Sequence, residues 1–292
     1  MNLPIIEDTY AEAFTTKAAH ILITAATKKL AHIAATEATG FATSFIGCPA
    51  EAGIDKYFSP EETPDGRPGY SIIICQNKAD KVKEQLLERI GQCVLTAATT
   101  SVFNLIEESE ETDNLGFKLA FFADGYQEKI QLYNKDMYKI PVMSGDFLIE
   151  ENFGITDAVA GGNLFIMAKT QSSALIAAES AVNAINDVEG VITPFPGGIV
   201  ASGSKVGSKN YKFMHATTNE EYCPTLKDKV ESKLSDEIDG VYEIVFDGLT
   251  EESIKKATQA AINAIKTIPG VMKISAGNYG GNLGKYKIRL IE

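Results

Sequence analysis

Leu164-Phe165-Ile166-Met167-Ala168 is a compact apolar run, and behind it Gln171 to Asn186 sets Leu175, Ala178, Val182 and Ile185 three and four residues apart. The first reads as a strand and the second as a helix with one apolar face. The chain returns as a strand from Val191. Val241 to Phe246 is another apolar strand, Asp247-Gly248 a turn, and Thr250 the cap of a second helix with Glu251 and Glu252 in its positive first turn. Ile254, Ala257, Ala261 and Ile265 give that helix its buried face. Pro269-Gly270 ends it, Val271 to Ser275 supplies the next strand, and Tyr286 to Ile291 adds an edge.

The first half has the same grammar. His20 to Ala25 reads as a strand, Lys28 to Thr39 as an Ala-rich helix ended by Gly40, and Thr43 to Gly47 as a short strand. Tyr70 to Cys75 is an apolar strand, Lys78 to Ile90 a helix with Val82, Leu86 and Ile90 one turn apart, and Gly91 closes it before a strand near Val94. Two strand-helix-strand units per half predict an α+β fold of two ferredoxin-like split βαβ sandwich lobes related by a pseudo-repeat. The loops follow suit: Cys48 to Ile54 comes after the second strand of one lobe, and Phe195 to Ile199 after its counterpart. Residues 116–152, aromatic and alternating, predict hairpins inserted between the lobes. The acidic stretch from Glu107 to Asp113 reads as a solvated loop. The expected boundary lies near Glu150, giving an N-terminal lobe with the hairpin insertion over 1–150 and a C-terminal lobe over 151–292.

With 45% apolar and 23% charged residues the chain is too hydrophobic to be disordered, and 292 residues suit two cores better than one. A net charge of -12 without a Lys/Arg cluster argues against nucleic-acid and membrane-surface partners, and suits a cytosol rich in salt. No basic segment leads into an apolar stretch at the start of the sequence and no run of 18 apolar residues occurs, so a cytoplasmic protein is expected. Cys48, Cys75, Cys93 and Cys223 form no Cys-x-x-Cys pair, and His20, His32 and His215 lie far apart. Reduced thiols and no metal site are expected.

Chemistry is concentrated in glycine-rich loops of the second half: Gly161-Gly162-Asn163, Gly197-Gly198, Gly203 to Lys209 and Gly277 to Gly281. Gly203-Ser204-Lys205-Val206-Gly207-Ser208-Lys209 fails as a phosphate loop of the Walker type, whose spacing is one longer and whose Lys precedes the Ser or Thr. It remains either a nest of N–H groups, hydroxyls and lysines for an anion, or a plain turn. Glu243, flanked by Val241, Tyr242, Ile244, Val245 and Phe246, is either a buried acid with a raised pKa or a residue on a solvated strand face. Thr63 to Gly69 forms a rigid turn that projects Arg67 towards a carboxylate. No Gly-x-Ser-x-Gly motif or histidine-paired nucleophile occurs, which disfavours a covalent acyl-enzyme.

A set of short blocks runs through the chain in order: Glu7-Asp8-Thr9 with Ala11-Glu12-Ala13-Phe14, Cys48 to Asp55, Thr63 to Gly69, Gly91-Gln92-Cys93, Asp124-Gly125-Tyr126-Gln127 and Phe153-Gly154-Ile155-Thr156. Gly161-Gly162-Asn163, Pro194 to Lys209, Tyr222-Cys223-Pro224, Tyr242-Glu243-Ile244-Val245 and Ser275 to Gly281 complete it. The ordered set resembles the formylmethanofuran:tetrahydromethanopterin formyltransferases over nearly the whole chain. The resemblance implies reversible transfer of a formyl group from formylmethanofuran to nitrogen 5 of tetrahydromethanopterin, or of tetrahydrosarcinapterin, in archaeal-type one-carbon metabolism and methanogenesis. It implies direct attack through a tetrahedral intermediate, methanofuran and tetrahydromethanopterin as co-substrates, no prosthetic group or metal, and a homo-oligomer, often a tetramer. By the same resemblance Glu243 is the acid beside the transferred formyl group. Gly197, Gly198, Ser202, Lys205 and Ser208 line the substrate cleft, with Phe195, Asp55, Arg67 and Gln92 as further members. The alternative is a non-catalytic pterin- or methanofuran-binding subunit or paralogue of the same fold; a metabolite-sensing regulatory protein of that fold class is a third reading.

Overall fold

The computed structural model describes residues 3–109 and 111–291, and it is mixed α+β, with a large, mostly antiparallel sheet and few helices. The chain gathers into two compact units. One is Thr16–Ala158; the other joins the residues before it to those after it. The crossings between units fall inside two long strands, β1 (Tyr10–Thr24) and Phe153–Ala168.

In the first unit, β1 is followed by α1 (Lys28–Ala38), β2 (Glu51–Phe58), β3 (Gly69–Gln76), α2 (Ala79–Arg89) and β4 (Ser101–Asn104). Hydrogen bonding sets the strands in the order β4-β1-β3-β2, antiparallel throughout. Thr27 starts α1 by accepting the Leu30 N–H. Its Ala31, Ala34, Ala35 and Ala38 are buried, as are Val82 and Leu86 of α2. Ile21, Ile23, Ile72 and Ile74, alternating along β1 and β3, complete this core. Each such isoleucine contributes about 2 kcal/mol of transfer from water. A meander of β5 (Glu128–Leu132), β6 (Lys135–Val142) and β7 (Gly145–Glu150) extends the sheet beyond β4 and supplies the expected hairpins. A short helix, Leu115–Ala120, precedes them. Gly116 in it lies so near the Glu150 carbonyl that an added Cβ would fall 2.4 Å from the oxygen.

The second unit contains β8 (Phe153–Ala168, from Val159 onward), α3 (Gln171–Asn186), β9 (Val191–Ile192), β10 (Gly240–Gly248), α4 (Glu251–Ile265), β11 (Val271–Ser275) and β12 (Tyr286–Arg289). Its strands lie in the order β11-β8-β10-β9, again antiparallel. Residues 10–13 of β1 pair with β12. Thr250 caps α4 in a reciprocal capping box with Ser253, and Ile254, Ala257, Ala261 and Ile265 are buried as expected.

Several expectations are corrected. Thr43–Gly47 is a turn rather than a strand, closed by the Gly47 and Cys48 N–H groups donating to the Ser44 carbonyl; the strand comes after Pro49, over Glu51–Phe58. Cys48 therefore precedes the second strand of its unit, whereas Phe195 follows β9, so the two loops do not correspond. Gly91 does not end α2. The chain continues through a π-helical turn at Ile90–Val94, because Ile90 and Val94 are both drawn into the core, and β4 starts only at Ser101. Leu175 is on the outer side of α3. The buried stripe runs instead through Ala174, Ala177, Ala178, Ala181, Val182 and Ile185, whose small side chains let α3 pack closely on α4. Within the acidic stretch, Glu111–Asp113 pairs as a strand with Phe153–Ile155, and Lys17 bridges Glu111 and Asp157; Glu110 lies outside the described residues.

Candidate active site

Glu243 sits in the middle of β10, opposite Phe165 of β8 on one side and bridged to Val200 on the other. The Val200 N–H donates to the Glu243 carbonyl at 2.8 Å, so the segment after Phe195-Pro196-Gly197-Gly198 runs as a short extra strand beside the acid. A cavity of about 160 Å³ opens there, lined by Glu243, Phe165, Ser202, Tyr222, Cys223 and Thr225 among others. Burial pushes the Glu243 carboxyl up to about 7, with no opposing influence from a cation or donor. Burial also raises the Tyr222 hydroxyl and the Cys223 thiol. The site therefore holds an acid divided about evenly between its protonated and ionised forms at neutral pH, beside a neutral phenol and thiol, able to donate to an oxyanion or a leaving amine and to take a proton back.

Most of the remaining lining comes from Val200 to Gly203 and Asn219 to Thr225, and of the sequence-predicted substrate residues only Ser202 is in it. Phe195 precedes a tight turn in which Gly197 and Gly198 have φ of 63° and 76°. Gly198 is buried against α3, where a Cβ would lie 2.6 Å from Val182, so this close approach excludes larger residues. Lys205 and Lys209 both clasp Glu220, Lys209 at 2.9 Å, and Lys205 above all pulls the Glu220 carboxyl down to about 2. Ser208 caps a turn by accepting the N–H groups of Asn210 and Tyr211. Ser202 shares the cavity with Glu243; the two lysines brace the segment that carries it.

Asp55, Arg67 and Gln92 belong to the first unit. Asp55 is buried, accepting the Ser71 hydroxyl at 3.0 Å, with His20 Nε2 at 2.9 Å. Arg67 donates to Asp65 at 2.8 Å, to the hydroxyls of Ser101 and Thr24, and to the Thr99 carbonyl, stapling its own turn to β1 and β4. Gln92 is exposed on the π-helical turn. Phe165, Asn219, Tyr222, Cys223 and Thr225 were not singled out as site residues from the sequence, although Tyr222-Cys223-Pro224 was one of the ordered blocks. Strand pairing brings Phe165 to β10, and the fold of residues 193–239 brings the other four. Among the described residues no group of three or more His, Cys, Asp or Glu side chains is placed to hold a metal ion, and no helix is long and apolar enough to cross a membrane.

This arrangement matches known proteins from end to end. The family model described as formylmethanofuran-tetrahydromethanopterin formyltransferase matches residues 1–142, and the model for the proximal lobe of the same family matches residues 145–292. The chain belongs to the formylmethanofuran–tetrahydromethanopterin formyltransferase family. Family members from Methanothermobacter thermautotrophicus and Methanosarcina barkeri are 60% and 61% identical to it, with 98% of this chain covered in each case and 96% and 97% of theirs. The solved formyltransferase of Methanosarcina barkeri superposes with a TM-score of 0.96 at 60% identity, covering 99% of both chains. A second solved relative is a chain of the formyltransferase/hydrolase complex of Methylorubrum extorquens, determined with methylofuran. It superposes with a TM-score of 0.93 at 44% identity, covering 98% of this chain and 96% of that one. Membership makes the chain a transferase of formyl groups, and the site housing Glu243 lies within the part matched by the proximal-lobe model.

Proposed function

We propose that this chain transfers a formyl group reversibly from formylmethanofuran to nitrogen 5 of tetrahydromethanopterin, or of its sarcinapterin variant, with Glu243 as the acid at the reacting centre. The observation that carries the reading is a carboxyl raised to about 7 in a cleft, in a chain 60% identical to proteins named for this reaction. In the proposed path the nitrogen 5 lone pair forms a bond to the formyl carbon and the carbonyl becomes a tetrahedral oxyanion. The Glu243 carboxyl donates a hydrogen bond to that oxygen, then its proton to the methanofuran nitrogen as the old C–N bond breaks. The proton shed by nitrogen 5 restores the carboxyl. Holding both co-substrates in register supplies the remaining acceleration without a covalent enzyme intermediate.

Gly197, Gly198, Ser202, Lys205 and Ser208 are proposed to shape the substrate cleft with Phe195. Their place on the segment beside Glu243 supports this. Asp55, Arg67 and Gln92 are proposed as further substrate-binding residues, although Asp55 and Arg67 already have partners within their own unit. The proposal includes two ferredoxin-like lobes, over 1–150 and 151–292, and the shared strand orders β4-β1-β3-β2 and β11-β8-β10-β9 support it. It also includes a cytoplasmic homo-oligomer such as a tetramer. Phe117, Phe121, Phe122 and Tyr126 form an exposed aromatic face of the kind that subunits cover, with Tyr126 at 78% exposure.

The test mixes the purified chain with formylmethanofuran and tetrahydromethanopterin and follows absorbance. Turnover that collapses in Glu243→Gln, with the fold kept, is expected; equal turnover in that variant removes Glu243 from the mechanism. The competing reading, a non-catalytic coenzyme-binding subunit, has against it that relatives matched over 98% of this chain are named as formyltransferases. Binding of either coenzyme with no turnover would establish it.

A further inference from the structure

A carboxyl more deeply buried than Glu243 lies in the same unit, and the proposed path does not use it. Glu12, in β1, is only 1% exposed. One oxygen accepts the N–H groups of Tyr279 at 2.7 Å and Gly281 at 2.8 Å; the other accepts those of Leu283 and Gly284. Burial pushes this carboxyl up, but the four backbone donors outweigh it and hold it below the ordinary carboxylate range. Residues 277–284 thus wrap around one anion. Gly280 and Gly281, with φ of 73° and 75°, give the left-handed turns that aim successive N–H groups inward. The start of the loop is pinned as well: Asn163 accepts the Gly277 N–H at 2.6 Å and donates to the Gly277 carbonyl at 3.2 Å.

The place where this loop begins connects it to the reacting acid. Strand register sets Glu243, Phe165 and Ser275 side by side across β10, β8 and β11, so their side chains share one face of the sheet. A Cβ on Gly277 would lie 3.3 Å from the Phe165 ring, which itself lines the Glu243 cavity. Tyr279 follows two residues later, its ring against Phe14 with centroids 6.2 Å apart. Burial raises the Tyr279 hydroxyl first, and the Glu243 and Glu12 carboxyls add to the effect.

We propose that Glu12 is a positioning residue for this reaction: by gathering four backbone N–H groups it fixes residues 277–284, whose first residue backs the Phe165 ring that lines the Glu243 cavity. The proposal rests on Glu243 being that acid. Glutamine cannot take the place of Glu12. Its amide keeps one acceptor oxygen, while its NH2 group confronts two N–H donors that then lose their partner inside the protein.

The test is the pH profile of kcat/KM for the full chain with formylmethanofuran and tetrahydromethanopterin. Tyr222 and Cys223 line the same cavity as Glu243, and Tyr279 lies in the loop that Glu12 holds; all three are raised by burial and therefore neutral near pH 7, so a limb near that pH reports Glu243. Glu7, beyond Ser275, is held low and paired with Lys273 at 2.5 Å, and Lys233, raised mainly by Glu221, stays charged. In Glu12→Gln the loop loosens and water reaches Glu243. We expect kcat/KM to fall about 100-fold through misplacement of the reacting groups. The limb should also move down by about one pH unit, because desolvation of the acid is relieved. Glu12→Asp, which keeps the charge, recovers part of both. A residue serving only stability would lower the melting temperature and leave the limb in place, and a folded Glu12→Gln with an unmoved limb overturns the proposal. Should Glu12→Gln not fold, Tyr279→Ala removes a side chain that is 46% exposed and must move the limb in the same direction; an unmoved limb there is equally fatal. A limb that persists in Glu243→Gln overturns the Glu243 reading and this proposal with it. A limb lost in Glu243→Gln yet unmoved in Glu12→Gln overturns this proposal alone.

Discussion

The two units share a strand order and treat an acid set in a strand in opposite ways. In the first, Asp55 on β2 lies 2.9 Å from His20 Nε2, a close contact that is not aligned as a hydrogen bond, and accepts the Ser71 hydroxyl. In the second, Glu243 on β10 has burial as the sole influence on its carboxyl and is raised to about 7. The connections make the difference. Residues 59–68 form a short turn fastened by Arg67, whereas residues 193–239 fold back over β10 and wall in Glu243 without bringing a donor or a cation to it. A buried acid becomes a proton donor where the frame withholds a partner, and a structural charge where the frame supplies one.

The largest expected effect sharpens that contrast at Glu243. Glu243→Gln should lower kcat by about 100- to 1000-fold, the usual worth of a positioned acid, with the far-ultraviolet spectrum unchanged. Its stability should respond to pH with a definite sign. The folded-state carboxyl is raised above its ordinary value of 4.5, so the stability tied to it is fully present below pH 4.5 and is lost as the pH rises through about 7. Over that window the parent chain should lose about 3 kcal/mol that Glu243→Gln retains, measured by urea denaturation at several pH values. Equal pH dependence in both proteins would break the comparison.

Asp55→Asn comes next. Replacing the buried carboxylate that accepts the Ser71 hydroxyl should cost about 1 to 3 kcal/mol of unfolding free energy. A raised KM for either coenzyme at unchanged stability would instead put Asp55 among the substrate contacts and erase the contrast between the units. Lys205→Glu sets a carboxylate against Glu220 and loosens the wall beside Ser202. A rise in KM of about tenfold is expected, equivalent to roughly 1.4 kcal/mol; both Michaelis constants unchanged would remove Lys205 from the cleft. The smallest effect belongs to the helices. Thr250→Ala removes the α4 cap and should cost about 1 kcal/mol by thermal denaturation, with turnover intact at 25 °C.

Much of the frame was legible in the sequence where local pattern and tertiary need agree. The span of α3, the strand Val271–Ser275 and the Thr250 cap all follow from apolar spacing and capping chemistry. Thr43–Gly47 and the segment near Val94 were misread because short apolar runs near Gly or Pro are ambiguous, and distant core contacts decided between turn, π-helical turn and strand. At the candidate site the sequence pointed to Glu243 through its apolar neighbours, yet left open which side of β10 it faced. Tyr222, Cys223 and Phe165 could not be gathered around it from spacing alone.

The sequence by itself determined the composition of the core, the alternation of strands and helices, and, through blocks spread over nearly the whole chain, the family. Those features are written in residues that are near one another along the chain or recognisable as ordered blocks. Only the tertiary structure decided that Glu243 stands unpartnered while Asp55 and Glu12 are satisfied. The reason is that a carboxyl's proton affinity depends on which donors and cations reach it, and here they come from residues far away along the chain: His20 and Ser71 for Asp55, residues 279–284 for Glu12.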